Sequence, residues 1–142
     1  MKRIIFTLTA LITAFITGGC ANNSATLDKS KINSSNEISR KVIERVDIAG
    51  SDDELRLMLI EYPPNVSSVP HIHPVGGLCY VVEGVAESQY EGEDLKIFRA
   101  GDSYQDIAEK KHLLFKNASK TNPLKFTCTA KIKKDQQFML PI

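Results

Sequence analysis

Three histidines carry the chemistry this sequence offers. His71 and His73 are separated by one residue, within Val69-Pro70-His71-Ile72-His73-Pro74, and the third, His112, lies far downstream. In an extended strand residues i and i+2 point to the same face, so the first two imidazoles project into one space. Neutral imidazole is a common ligand for divalent first-row metals, and three of them leave coordination positions open to water or substrate. The metal could be Fe, Mn, Ni, Cu or Zn; imidazole alone does not choose among them. The competing interpretation is a trio of partly buried polar side chains bonded to each other and to water.

Three further side chains are candidates for an extra ligand or for the pocket wall. Asp106 lies six residues before His112, in the same strand parity, and is the better carboxylate candidate. Tyr104 shares that parity and would donate a hydrogen bond to bound substrate. Cys79 shares parity with His71 and His73 when no bulge intervenes, which turns its sulfur toward the same cavity. Each of these placements depends on register, which one bulge reverses. Glu83, next to Gly84, reads as a turn residue at a strand end. Met58, Ile60, Tyr80 and Phe115 are the expected apolar walls.

Other chemistries find no support. The chain has no Gly-x-Ser-x-Gly elbow, no phosphate-cradling glycine loop and no paired cysteine motifs with zinc spacing. Its formal net charge of +1 excludes the basic excess of a nucleic-acid-binding domain. Eight lysines fall between Lys110 and Lys134 with no acidic residue among them. Such a run either forms a solvated face that discourages edge pairing or attracts an anionic substrate or lipid.

The elements that must position these residues are strands. Val42 to Ile48, Leu55 to Tyr62, Leu78 to Val82, Ala86 to Tyr90, Leu95 to Phe98, Tyr104 to Ile107, His112 to Lys116 and Leu124 to Ile132 follow one another with turn signals between them and little helical periodicity. That pattern predicts an all-β sandwich or barrel in one domain, 41–142.

Taken together the two histidine-bearing runs resemble the paired motifs of the cupin superfamily, G-x5-H-x-H-x3-4-E-x6-G and G-x5-P-x-G-x2-H-x3-N. His71, His73 and Gly84 match the first, and Asn65 stands at its opening glycine, a residue type that also tolerates the left-handed conformation. The family's metal-binding glutamate falls at Gly77. In the second motif Gly101 and His112 match, Ile107 and Glu109 occupy the proline and glycine positions, and the asparagine comes one place late as Asn117. All three histidines of the chain sit at motif positions. The resemblance implies a single jelly-roll β-barrel and a three-histidine metal site lacking the usual glutamate, so that the cation keeps its full charge toward an electron-rich substrate atom. It implies metal-dependent oxidation of a small molecule, as in quercetinase-like dioxygenases, or, as the alternative, a non-catalytic barrel that binds or senses a metal or small ligand. Homodimers are common in the family, so the resemblance admits a homodimer as well as a monomer.

The N-terminus has the form of a secretory signal: Lys2 and Arg3, an apolar run from Ile4 to Ile16, then small residues before Cys20. Ile16-Thr17-Gly18-Gly19-Cys20 resembles a bacterial lipobox, which implies cleavage after residue 19 and lipidation of Cys20. Ordinary signal cleavage, or retention as a membrane anchor, would leave the protein on the same side of the membrane. The segment 20–40, rich in Asn, Ser and Lys, reads as a flexible tether. The expected location is therefore the bacterial cell envelope, on an outer-membrane lipid anchor facing the periplasm. There disulfides can form, and Cys79 and Cys128 could pair or remain two small buried residues.

Overall fold

Period-two burial shapes the two longest central strands. In β9 (Leu124–Lys133) Leu124, Phe126, Cys128, Ala130 and Ile132 are buried while the intervening residues face outward. In β2 (Asp53–Tyr62) the buried set is Glu54, Arg56, Met58, Ile60 and Tyr62. Alternation of this kind lets one sheet face pack on a core while the other meets water. The computed structural model describes residues 37–142, and among them every regular element is a strand.

The remaining strands are β1 (Ser39–Asp47), β3 (His71–Ile72), β4 (Gly77–Glu83), β5 (Val85–Tyr90), β6 (Lys96–Arg99), β7 (Ser103–Asp106), β8 (His112–Asn117) and β10 (Leu140–Pro141). They form two antiparallel five-stranded sheets, ordered β1-β2-β9-β4-β7 and β10-β3-β8-β5-β6. This is the expected all-β jelly roll. β1 starts at Ser39, ahead of Val42 where the first strand was expected. The signal segment 1–19, Cys20 and the tether as far as residue 36 lie outside the described residues.

Buried polar side chains fasten the parts that lack apolar anchors. Arg56 pairs with Glu54 at 2.6 Å and donates to the carbonyls of Lys133, Lys134 and Gln136, holding the chain that follows β9 against the barrel. Asn117, fully buried, donates through Nδ2 to the carbonyls of Tyr62, Pro63 and Asn122 and accepts from the Ser119 amide. Cys79 and Cys128, directly opposed on β4 and β9, form a disulfide with Cα atoms 4.1 Å apart.

The late lysines do not form a free positive face. Lys110, Lys111, Lys116, Lys125, Lys131 and Lys134 each meet a carboxylate, from Glu93, Glu91, Glu87, Glu83, Asp53 and Asp47 respectively. Tyr80 also departs from expectation: it is half exposed on the outer face of β4, because Cys79 and Val81 take the inward positions.

Candidate metal centre

His71 and His112 face one another as register partners on β3 and β8, which places two imidazoles side by side from residues 41 positions apart. Ring centroids are 4.8 Å apart for this pair, 4.9 Å for His71 and His73, and 6.1 Å for His73 and His112. The ligand atoms of the three lie within 4.8 Å of one another, and all three residues are buried. His73 is held by a bridge to Ala108 and by the Glu109 amide, which donates to the His73 carbonyl at 2.8 Å.

Each ring is oriented through one of its nitrogens. His71 Nδ1 donates to the Val69 carbonyl at 2.8 Å and His73 Nδ1 to the Phe138 carbonyl at 2.9 Å. With the proton fixed on Nδ1, the Nε2 lone pair of each is left to bind something else. His112 is bonded through Nε2 to Ser88 Oγ at 2.8 Å, and its Nδ1 is buried without a partner. The Tyr90 ring stacks on His112 with centroids 4.0 Å apart. A bulge between Gln89 and Tyr90 sets that tyrosine opposite His112.

Burial keeps these imidazoles neutral. Desolvation lowers His71 below its ordinary range and His73 to about 4; it lowers His112 to about 3, helped by the neighbouring histidines. Asp106 moves the other way, to about 7, because desolvation penalises its charge. A metal fits this donor set: three neutral imidazoles, two with their protons turned away and one with an orphaned buried nitrogen, are what a divalent transition metal requires.

Asp106 and Tyr104 are both buried and inward, as their parity predicts. Asp106 Oδ1 is 3.6 Å from His73 Nε2. The Tyr104 hydroxyl is buried with no hydrogen-bond partner, and burial raises its pKa well above the ordinary phenol value. Cys79 is inward too, but its sulfur is bonded to Cys128, so it has no thiolate to give a metal. That expectation for Cys79 is set aside.

The histidines, Asp106 and Tyr104 line a cavity of about 390 Å³. Met58, Ile60 and Phe115 form its walls, as expected, together with Tyr62 and Phe126. Segments on either side of the central strands complete it: Arg40 from β1, and Gln137, Phe138 and Met139 from the segment before β10. Sequence reasoning missed Tyr62 and Phe126, which inward parity with Ile60 and Cys128 would have found. Arg40, Ser88, Tyr90 and Phe138 left no comparable signal.

Fold and site together define a double-sheet β-barrel protein with a histidine-rich centre facing an internal cavity. The chain belongs to the cupin family: residues 58–130 match the cupin domain. Among solved structures it is similar to a cupin-like protein of Thermotoga maritima, with a TM-score of 0.59 and 17% identity over 74% of this chain and 75% of that one. It is also similar to a conserved double-stranded β-helix protein of Klebsiella pneumoniae, at 0.56 and 20% over 72% and 84%. A third is the polyketide cyclase RemF of Streptomyces resistomycificus, at 0.55 and 19% over 75% and 71%. At these identities the likeness establishes the fold. A search of curated proteins gave no match.

Proposed function

We propose that this chain is a metal-dependent cupin enzyme in which His71, His73 and His112 hold a divalent transition metal and the adjoining cavity admits a small, largely apolar substrate for oxidation. The observation that carries this reading is the convergence of three buried imidazoles, one with an orphaned nitrogen, on the wall of a 390 Å³ cavity. A site that only stores or senses the metal, closed by protein ligands, has no use for such a space, so the cavity favours a centre that also takes a small molecule. When bound, the metal supplies Lewis acidity and, if redox-active, a centre for oxidation chemistry.

The protein's own residues do the rest. Met58, Ile60, Tyr62, Phe115 and Phe126 exclude water and select an apolar body. The Tyr104 hydroxyl, buried and unpartnered, is available to donate to a substrate oxygen. Ser88 and the Val69 and Phe138 carbonyls hold the three rings in orientation.

The test is elemental analysis of protein purified without a histidine tag, beside His73→Ala. We expect about one equivalent of transition metal in the wild type, lost in the variant, and oxygen consumption with phenolic or thiol substrates only in the former. Equal, negligible metal in both sinks the proposal. The lipobox-like segment supports a lipid anchor at Cys20 on the periplasmic side of the cell envelope. Labelled palmitate should then be incorporated into the wild type and not into Cys20→Ala; a wild type that takes up no label rules the anchor out.

A further inference from the structure

We infer that Arg40 makes the mouth of the cavity a carboxylate-recognising site, so that the small molecule it admits is a monocarboxylate with an apolar body. The inference rests on reading the cavity as a substrate site and names the substrate class.

Arg40 faces inward by register. On β1 it stands directly opposite Ile60, which is buried on the inner face of β2, and directly opposed residues share a face. Ile38 and Val42, two positions to either side and of the same parity, pack against the core. Between two apolar anchors the sequence therefore puts a guanidinium where alternation calls for a third apolar side chain. Arg40 lies outside the 58–130 match, so the cupin likeness does not supply it.

The guanidinium is held in place but not satisfied. Its Cζ lies 5.9 Å from the centroid of the Tyr62 ring, and Nη2 meets Tyr62 Oη at 3.5 Å and Met139 Sδ at 3.6 Å. The first of these contacts is at the limit of a hydrogen bond and the second is to a weak acceptor. Among the described residues Arg40 forms no ion pair, and Nη1 and Nε have no acceptor. A planar fork with free donors matches the two oxygens of a carboxylate. Arg56, the other guanidinium on the wall, is spent on Glu54 and on backbone carbonyls.

The cavity offers no anion to meet that charge. Asp106 is the one carboxylate among the lining residues, and it bonds to Tyr90 rather than to Arg40. Neutral imidazoles bring no charge of their own to a bound cation, so a loaded centre adds positive charge to the same space. Burial is the main cause that lowers His71 and His73, and the Arg40 charge adds to it in both, so its field reaches the imidazole wall. One free guanidinium beside Met58, Ile60, Tyr62 and Phe126 selects one negative charge on an otherwise apolar molecule. A phosphate dianion would need a second cation that the wall does not have.

An inward charge on an edge strand also discourages edge-to-edge pairing, and β1 is an edge of its sheet. That role involves no ligand and gives no preference between an acid and its amide.

Calorimetric titration of the untagged protein, metal-free and loaded with Co(II), tests this with acetate, hexanoate, hydrocinnamate, the neutral isostere hydrocinnamamide and inorganic phosphate. The wild type should bind hydrocinnamate about 10-fold more tightly than the amide in both forms, the low end for a charge-assisted hydrogen bond because the mouth is open to water. Arg40→Met should abolish the preference in the metal-free protein and Arg40→Lys should keep part of it. Lys120→Met, which removes an exposed charge elsewhere, should leave it unchanged. Melting of Arg40→Met checks that it folds. If it does not, the response of the metal-free wild type to added NaCl takes its place, with a shrinking preference expected and a salt-independent one overturning the inference. Equal affinity for acid and amide in the metal-free wild type, a preference that survives in Arg40→Met, phosphate bound as tightly as hydrocinnamate, or no binding of any of the three acids overturns it as well. A wild type that shows the preference but takes up no Co(II) refutes the metal reading and leaves Arg40 standing; Co(II) uptake without the preference does the reverse.

Discussion

The Glu109 amide donates to the His73 carbonyl from a backbone in the left-handed region, φ 60°. That residue lies in the short turn between β7 and β8, and its conformation is one that non-glycine residues adopt at a cost of about 1–2 kcal/mol. Glu109 is exposed, and among the described residues its carboxylate pairs with no basic side chain within ion-pair distance. Glu109→Gly should therefore stabilise the protein by about 1 kcal/mol. Glu109→Val, β-branched, should destabilise it. Thermal melts of the metal-free proteins check both, and a lower melting temperature for the glycine variant would show that the left-handed backbone carries no strain.

Asn117 ties the β2–β3 connection to the turn after β8 through three carbonyls that have one donor group in common. Replacing it with Ala strands those acceptors around a fully buried site, and we expect a loss of roughly 3 kcal/mol. Asp is nearly the same shape but has no amide protons, so Asn117→Asp should be about as damaging. Denaturant titration at neutral pH distinguishes the cases. Retained stability in the Asp variant would mean that packing, not donation, is what Asn117 contributes.

Cys79 and Cys128 close a loop with a sequence separation of 49, and their removal should cost about 2–4 kcal/mol by relaxing the unfolded chain. The double variant Cys79→Ala/Cys128→Ala avoids reductants that would themselves bind metal. Its melting temperature should fall on the order of 10 °C. An unchanged melt would show that the β4–β9 ladder and the core already hold these strands without the bridge.

The centre was more legible in the sequence than the rest of the cavity, and the reason is distance along the chain. His71 and His73 announce themselves because an i, i+2 pair shares a face whatever lies around it. Tyr80 misled, because Leu78-Cys79-Tyr80-Val81-Val82 is apolar throughout and such a run has no phase to read. The disulfide depends on the register of β4 against β9. Six of the eight lysines between residues 110 and 134 meet carboxylates from other parts of the chain, so a positive run in one dimension is a mixed surface in three. Phe138 reaches the site because Arg56 grips the carbonyls just before it, a contact between residues about eighty positions apart.

Acid should destabilise the metal-free protein through the same burial that shapes the site. In the folded chain His73 stays neutral down to about 4 and His112 to about 3, whereas exposed imidazole protonates near 6.5. Below 6.5 the unfolded chain thus takes up protons that the folded one refuses, and stability falls as pH drops toward 4. Asp106 opposes this. Folded, it keeps its proton up to about 7; unfolded, it releases it near 3.8, so its contribution is present at low pH and is lost as pH rises through 7. The histidines outnumber it, since His71 is lowered as well. The net excess on the unfolded side approaches one proton near pH 5, which gives a slope on the order of 1.4 kcal/mol per pH unit there and a smaller one toward 6.5. Asp106→Asn removes the opposing group, so its acid loss should be steeper than that of the wild type. Denaturant midpoints in chelator at pH 7, 6 and 5 measure both slopes. A wild type that gains stability on acidification would show that the imidazoles are not buried neutral in the folded chain, and a variant with the shallower slope would show that Asp106 does not hold its proton there.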